Sequence, residues 1–542
     1  MSSKNKQQQS KNQQQEQDMQ KPSNKVPSRQ NTKQKMDSLE IEGRQGLLKQ
    51  RITVDDIVRE IPFGRFQYLM IFIFHLIYSA PSIVVYNYAF FLMFPKYLCK
   101  QEDMSFDYCT REQKCDFQMN MDIEQDFQSE IDWNSPYSLR NWIMKLGLEC
   151  SETYVIGLFG TLEFLGQLFA CFVYPPLADY CGRRIFTFIG LGMQTVVFVG
   201  LVAFKNFELF YLLIFILGNA VIIRYLIVYA HLMEFVATKQ NLITGIFLFM
   251  DGLVYIYSPV IIVYFTRKTQ YFVYMALGLS IGAVVLLAFI FHMPESLKFS
   301  LVKQDIMKFQ SDMDYICTMN KASEQQVDKI NSLVEKYCNQ VREDALLIGV
   351  KVKQPGLIKQ ILSDRDALVN LMLMVVCWAS TTFTYFLVIF YVKYLPGDIY
   401  YNQIVSSFSV FAYLVAPFMA RKYDNKMIML IGYIISFIFL VIMIIFQFVE
   451  IDAVAYSFIF LLFKCGVTLT FLSLFIIHTD LFHIQFLATS YGICNIVSRI
   501  ITLGAPIVAE LDSKLAPMLF MIILNLAAIA ATAFLRLKKR EK

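Results

Sequence analysis

Charge is scarce in this chain: Asp, Glu, Lys and Arg make up 17% of its 542 residues, against roughly a quarter in an ordinary soluble protein. With 56% hydrophobic residues and a mean hydropathy of +0.46, there is too little polar side chain to clothe a water-soluble fold of this size. The net charge of +5 is too small to point to a nucleic-acid partner. No cationic stretch followed by a short apolar core opens the chain, so no cleaved secretory signal is expected and the first membrane helix is left to direct targeting. The apolar stretches contain no H-E-x-x-H, no G-x-S-x-G and no paired His–carboxylate cluster, which leaves a polytopic enzyme without chemistry to use. No cofactor and no metal are expected.

What is present is hydrocarbon. Crossing a bilayer takes about 20 apolar residues, and twelve stretches qualify, near 66–94, 152–174, 185–203, 207–233, 241–265, 271–292, 366–392, 402–420, 427–447, 454–477, 486–508 and 515–535. They fall into six and six around a polar stretch from Pro294 to Arg365 whose apolar spacing suggests two short amphipathic helices. The expected organisation is a tail over 1–50, a six-helix half over 51–292, a central loop over 293–365, a second six-helix half over 366–537 and a tail over 538–542. The first tail is Gln-, Lys-, Ser- and Asn-rich with almost nothing to bury, and is expected to be disordered.

Lys and Arg near the span ends set orientation. Arg51, Arg59, Arg65, Arg183, Arg184, Lys239, Arg421, Lys422, Lys426 and the basic tail from Arg536 share one side, so both termini are expected in the cytosol. The loop 95–150 is then outside the cytosol. It is acidic (Glu102, Asp103, Asp107, Asp116, Asp122, Glu124, Asp126, Glu130, Asp132) and holds Cys99, Cys109, Cys115 and Cys150, which suggests two disulfides with three pairings open. It has no N-x-Ser/Thr acceptor, because Asn134-Ser135 runs into Pro136. A plasma membrane fits these features, and an internal membrane is the alternative.

Ionisable residues inside spans are costly and mark function by default. Glu163 lies in span two, Arg224 in four, Asp251 in five, Lys464 in ten and Arg499 in eleven, whereas spans three, six, nine and twelve carry no such charge. That rhythm suggests three-helix repeats with every third helix facing lipid. At ~1.5 Å per residue, Glu163, Asp251, Lys464 and Arg499 fall near the midplane. Two cations on consecutive helices need a counter-anion, supplied either by the protein, with Glu163 and Asp251 neutralising them across the halves, or by the substrate. Arg224 is expected to reach towards the cytosolic interface, and His75 to be a hydrogen-bonded packing residue. Tyr78, Tyr86, Tyr255, Tyr257, Trp378, Phe383 and Tyr385 supply aromatic faces in spans one, five and seven.

Pro176-Leu177-Ala178-Asp179-Tyr180-Cys181-Gly182-Arg183-Arg184 resembles the G-x-L-A-D-R-x-G-R-R loop of the major facilitator superfamily, with Pro175 at its first Gly. Other stretches resemble the branch of that superfamily that carries organic cations, organic anions and carnitine. They are Phe63-Gly64-Arg65-Phe66-Gln67, Pro95 to Cys99, Leu148-Glu149-Cys150, Glu234-Phe235-Val236 with Lys239, Pro294-Glu295-Ser296, Asp398 to Asn402, Asp480-Leu481-Phe482, and Gly492, Ser498-Arg499 and Pro506. Departures lie in the second half: Arg421 to Lys426 has no G-R-R, His483 and Leu487 replace a Pro and an Arg, and Ala412 stands where span eight usually has a Glu.

The resemblance implies an all-α polytopic membrane protein of the major facilitator fold: twelve transmembrane helices in two six-helix halves, working as a monomer by alternating access. Asp179, Gly182, Arg183, Arg184, Glu234, Glu295 and Asp480 would serve the gate, with contacts between the halves that break and reform. Arg499 stands where related anion and zwitterion carriers often have Arg and cation carriers an acid. The expected substrate is a small organic ion, foremost a carboxylate-bearing anion or a carnitine-like zwitterion, held by Arg499, Lys464, Asp251, Glu163, Tyr255, Trp378 and Tyr385. Na⁺, H⁺ or a counter-substrate is the possible coupling partner. The alternatives are an organic cation carrier and a carrier-like membrane sensor that does not transport.

Overall fold

The computed structural model describes residues 52–100, 105–119, 129–236, 240–347, 365–419, 422–449, 452–482 and 484–536. The tails over 1–50 and 538–542, Lys239, Arg421, much of the acidic loop, the end of the central segment and the side chain of Asp480 lie outside the described residues. By contacts the chain forms a small unit, Met1–Ile57 with Asn331–Gly349, and a large unit holding the rest. In the small unit the Ile52 N–H donates to Gln340 Oε1 at 3.1 Å. The two six-helix halves both belong to the large unit.

Among the described residues, eleven helices are long and apolar enough to cross a membrane, and they follow eleven of the expected spans. They start with Arg65–Val85, Thr153–Cys181, Arg183–Ala203 and Phe207–Phe235, and the first half closes with spans five and six, the latter Gln270–Phe289. The second half holds Arg365–Tyr391, Asn425–Ile445, Ala453–Leu481, Ile484–Thr502 and Ala516–Phe534. Span eight is the expected twelfth, and it is broken: helices Ile399–Ser407 and Ala412–Met419 are joined by a 3₁₀ turn, Phe408–Phe411. Ser406 and Ser407 donate to the Gln403 and Ile404 carbonyls just before the break, a back-bonding that competes with the helix ladder. Span five is also interrupted, between Gln240–Gly252 and Val254–Tyr264. A Cβ on Gly252 would sit 2.4 Å from Val410 Cγ2, so the glycine lets the two broken spans meet.

Side chains such as Phe172, Val196, Ile281, Phe289, Ile438 and Ile523 are exposed on the outside of the bundle, which hydrocarbon tolerates and water does not. Spans six, nine and twelve bury 33%, 39% and 39% of their most apolar windows against 78% in span seven, as the three-helix rhythm predicts. Span three, at 50%, and span eleven, at 39%, depart from it. Among its described residues the central segment holds three helices, where two were expected: Leu297–Val302, Ile306–Asn320 and Glu324–Leu347.

The cysteine-bearing loop adds a small sheet that the sequence reading did not foresee. Strand β1 (Tyr97–Lys100) pairs antiparallel with β2 (Phe106–Cys109) on one side and β3 (Ser129–Ile131) on the other. Cys99 is bonded to Cys109 across β1 and β2, and Cys115 to Cys150 at the entry to span two. The second bridge is supported by Arg111 Nε donating to the Glu149 carbonyl at 2.8 Å and by a Lys114–Glu149 ion pair. We call this the loop end of the bundle and the opposite end, with the Gly182 turn, the motif end.

At the motif end, unsatisfied helix-start N–H groups are met by side chains from far along the chain. Gln67 accepts from Gly64 N–H at 2.9 Å, and Asn320 accepts from Phe66 N–H at 2.9 Å while donating to Gln67. Gly64 must be small, since a Cβ there would lie 2.6 Å from Asn320 Oδ1. Span three begins on the Glu295 carboxylate, which accepts from Arg183 N–H at 2.9 Å and Arg184 N–H at 3.2 Å, a negative charge at the positive end of a helix dipole. Gly182 has φ +102, and a Cβ on it would meet Glu295 Oε2 at 2.3 Å. Arg183 pairs with Glu234 at 3.2 Å and more loosely with the exposed Asp179 at 3.6 Å. Ser296 donates to Glu234, and His231 bonds Thr187 and the Pro294 carbonyl.

This corrects one expectation. Asp179, Arg183, Arg184 and Glu234 were expected to form contacts between the halves, yet here, with Gly182 and Glu295, they join spans two, three, four and six of the first half to one another. The reason is that Glu295 and Ser296 follow span six directly and reach the Gly182 turn from within the same half.

The halves instead clasp at the loop end. Asp398 caps span eight by accepting from Tyr401 N–H and takes the Tyr137 hydroxyl at 2.8 Å with its other oxygen. Burial and that carboxylate push Tyr137 up to about 12, so at neutral pH it remains a donor. Tyr400 donates to the Pro136 carbonyl at 2.7 Å and stacks on Phe90, while Lys393 donates to the Leu92 carbonyl at 2.9 Å and pairs with the buried Glu510 at 2.7 Å.

Two outcomes follow. Glu295→Gln removes the charge that caps span three and is expected to cost about 1–3 kcal/mol, read as a lower midpoint of thermal unfolding in detergent, with Gly182→Ala lowering it as well. Non-reducing peptide mapping is expected to find Cys99 linked to Cys109 and Cys115 to Cys150; any other pairing contradicts the loop described above.

Candidate functional site

Between the halves lies an enclosed cavity of about 60 Å³ lined by five side chains from each half. Tyr86, Tyr225, Leu248, Asp251 and Gly252 come from the first, and Tyr385, Phe386, Tyr413, Phe471 and Arg499 from the second. The volume holds a few water molecules and is well below the roughly 300–1,000 Å³ of a small-molecule site. A solute therefore enters only if the halves move apart.

Several of the first-half walls are placed by irregularities. Tyr86 ends the first helix of span one, and Asp251 and Gly252 sit at the break in span five, facing the 3₁₀ turn of span eight. Tyr225 lies in a π-helical turn, Ile223–Val228, inside span four. Discontinuous helices and π turns of this kind free backbone and re-aim side chains at sites in membrane bundles.

The π turn also carries Arg224, and here the expectation fails. Arg224 does not reach the interface: it is 1% exposed, donates to Ser82 Oγ and the Tyr78 carbonyl, and lies over the rings of Tyr78 at 4.7 Å and Tyr225 at 4.3 Å. Its charge partner is Asp251, at 3.9 Å, whose other oxygen accepts from the Tyr86 hydroxyl at 3.0 Å. Asp251 is thus neutralised within its own half and not by Lys464 or Arg499.

Arg499, 9% exposed, enters the cavity from span eleven. It donates to Gln167 Oε1 of span two and lies 5.5 Å from the Phe386 ring, and its Nε has no hydrogen-bond partner among the described residues. Gln167 Nε2 in turn donates to Glu163 Oε1 at 2.7 Å. Glu163 is fully buried and meets Arg499 only through this amide. Lys464 lies over Tyr255 at 4.4 Å and donates to Ser406 at 3.3 Å, and no carboxylate pairs with it among the described residues. Tyr255 packs on Tyr86 at 4.8 Å, which brings Lys464 to the edge of the cavity wall.

The structure therefore brings Asp251, Tyr385 and Arg499 around one space, sets Tyr255 and Lys464 beside it, and puts Glu163 behind it. Trp378 is a correction. It lies about two turns from Tyr385 along span seven and packs against Phe475 at 5.0 Å and Tyr491 at 5.0 Å inside the second half, away from the cavity lining. His75 lies 3.3 Å from the Ser79 hydroxyl and edge-on to Phe247. Sequence reasoning passed over Gln167, Tyr225, Tyr413, Phe386 and Phe471. Gln167 alone carried a signal: it stands four residues after Glu163, on the same helix face.

At this depth Arg224, Lys464 and Arg499 face only Glu163 and Asp251, so one positive charge is left over. The arrangement can hold an anion at Arg499 and Lys464, and it can pack a cationic or aromatic group on the tyrosine faces.

The sequence profile of the Major Facilitator Superfamily matches residues 137–506. The chain is similar to Organic cation/carnitine transporter 2 of Mus musculus, 23% identical over 327 residues, which cover 58% of this chain and 56% of that protein. It is also similar to an uncharacterized protein of Caenorhabditis elegans, 26% identical over 153 residues, 28% of this chain and 29% of the relative. The matches thus span little more than half, and less than a third, of those relatives' lengths. Among solved structures, the inward open xylose transporter XylE from E. coli superposes with a TM-score of 0.58 at 11% identity, over 88% of this chain and 97% of that one. Its partially occluded inward open form gives 0.54 at 10%, over 88% and 98%. At such identities the likeness is one of fold. The profile covers more than half of the chain, on a bundle of this fold, and the chain therefore belongs to the Major Facilitator Superfamily and is a membrane transporter rather than an enzyme.

Proposed function

We propose that this transporter carries small organic ions by alternating access, with carboxylate-bearing anions and carnitine-like zwitterions as its leading substrates. The observation that carries the reading is the guanidinium of Arg499, buried at the cavity with no carboxylate in direct contact: its hydrogen bond goes to the neutral amide of Gln167, and its Nε has no partner among the described residues. Guanidinium cannot shed its charge and binds carboxylate in bidentate fashion. Lys464 would supply the second charge, and the substrate's remaining part would lie against Tyr86, Tyr225, Tyr255, Tyr385 and Tyr413. The organic-ion motifs and the likeness to the mouse transporter support the same class.

The basic residues at the motif end and the disulfides at the loop end support a cytosolic and an outer side respectively, in a plasma membrane. The contacts of Tyr137, Lys393, Tyr400 and Glu510 then hold the outer side closed, and their rupture would admit substrate from outside. A monomer suffices for this cycle, since the cavity is complete within one chain.

The five tyrosines favour a second reading, an organic cation carrier with a cation held in an aromatic cage beside Asp251. Against it, Asp251 is already paired with Arg224, and Arg499 and Lys464 repel a bare cation.

The test is uptake into proteoliposomes of labelled carnitine, an aromatic monocarboxylate and tetraethylammonium. Saturable uptake of a carboxylate is expected, reduced at least about 30-fold by Arg499→Asp, since removing one side of a buried charge contact costs about 2–5 kcal/mol. Lys464→Met is expected to raise the half-saturating concentration. Preference for tetraethylammonium, unaffected by Arg499→Asp, overturns the carboxylate reading.

A further inference from the structure

Glu163 is a carboxylate with no exposed surface whose hydrogen bond runs to a neutral amide. Span four packs closely against the backbone of span two at this level, where a Cβ on Gly218 would lie 2.0 Å from the backbone carbonyl oxygen of Glu163. The charged and titratable groups around its side chain are Arg499 from span eleven, Arg224 from span four and the Tyr88 hydroxyl from the short helix Tyr88–Phe91. Arg224 is committed to Asp251, so the countercharge of Glu163 is Arg499, reached through Gln167.

The amide makes this relay directional. A guanidinium only donates and a carboxylate only accepts, so Gln167 must turn its oxygen to Arg499 and its NH₂ to Glu163. When a substrate carboxylate takes Arg499, the amide oxygen loses its donor and Glu163 loses its countercharge. A buried carboxylate without compensation is strongly unfavourable. Protonation removes the charge, and the new carboxyl O–H donates to the amide oxygen that Arg499 has released. In both states the amide oxygen and the amide NH₂ of Gln167 each have a partner.

We propose that Glu163 is a proton-binding site coupled to Arg499 through Gln167, so that each substrate carboxylate is carried with one proton. The proposal rests on the carboxylate reading above. The proton enters with the substrate from the loading side and leaves on the other side when Arg499 returns to Gln167. Uptake of an anion is then electroneutral, and uptake of a zwitterion moves one positive charge. Since the site must be protonated to travel loaded, uptake rises as the pH on the loading side falls.

The experiment uses the full chain in proteoliposomes with a pH-sensitive dye in the lumen and carnitine as probe. About one proton is expected to enter per labelled carnitine, uptake is expected to be faster with an inside-negative potential, and protein-free vesicles are expected to show neither. Glu163→Gln is expected to move carnitine down its own gradient with no proton and no dependence on pH. Carnitine uptake by the natural protein without acidification overturns the proposal and leaves the carboxylate reading standing, and acidification that persists in Glu163→Gln also overturns it. Should that variant fail to fold, the proton count of the natural protein decides alone. Absence of carnitine uptake, with tetraethylammonium carried instead, removes the carboxylate reading and this proposal together.

Discussion

A buried charge in hydrocarbon must be neutralised nearby, and at the centre of this bundle the protein supplies one anion too few. Arg224 and Asp251 offset each other's charge within the first half across 3.9 Å, although Arg224 Nε and Asp251 Oδ1 have no hydrogen-bond partner among the described residues. The second half brings Lys464 and Arg499 to the same level with no acid of its own among the described residues there. What faces Arg499 across the interface is the amide of Gln167, with Glu163 behind it. A direct ion pair between the halves would be hard to break in a low dielectric, because each partner left alone costs several kcal/mol. The amide divides that interaction into two hydrogen bonds, only one of which crosses between the halves. The pair that persists is kept inside one half, and the contact that has to open is the weaker one.

The same division governs the ends of the bundle. The motif-end residues would be an obvious clamp between halves, yet Glu295, Arg183, Glu234 and Ser296 are spent on capping span three and fastening it to spans four and six. They make the first half rigid as a body. Beyond the cavity, contacts that link the halves lie at the loop end, where Asp398 both starts span eight and receives Tyr137. A helix start used as a latch couples the position of the first half to the integrity of span eight, which is the span already broken beside the cavity.

Much of this was legible in the sequence. Eleven spans follow from apolar length, and the cysteine-bearing loop from the polar stretch between the first two of them. What escaped did so for physical reasons. Span eight is marked as a single apolar stretch, and its break depends on serine back-bonding and on the approach of Gly252, neither of which changes hydropathy. Arg224 was misplaced because a regular helix was assumed where six residues form a π turn. Trp378 shares a span with Tyr385 but not its depth, and packing inside one half is a tertiary fact. Gln167 was overlooked because a search for charges passes over a neutral amide, although an amide is the one side chain that offers a donor to an acid and an acceptor to a guanidinium.

The closed cavity and the missing anion belong to one argument. At about 60 Å³ the space admits water but no organic ion, so the conformation described here has no place for the substrate that its charges call for. Separation of the halves at the motif end enlarges the cavity and at the same time pulls Arg499 away from Gln167, since these stand on opposite halves. The guanidinium is therefore stripped of its only hydrogen-bond partner as room for a carboxylate appears. Return to the closed state requires that Arg499 find either that carboxylate or the amide again, and an empty carrier has only the second. On the proposed carboxylate reading, the same electrostatics would let the empty and loaded forms close, while a form with Arg499 satisfied by neither would be left open to the water that alone can solvate it.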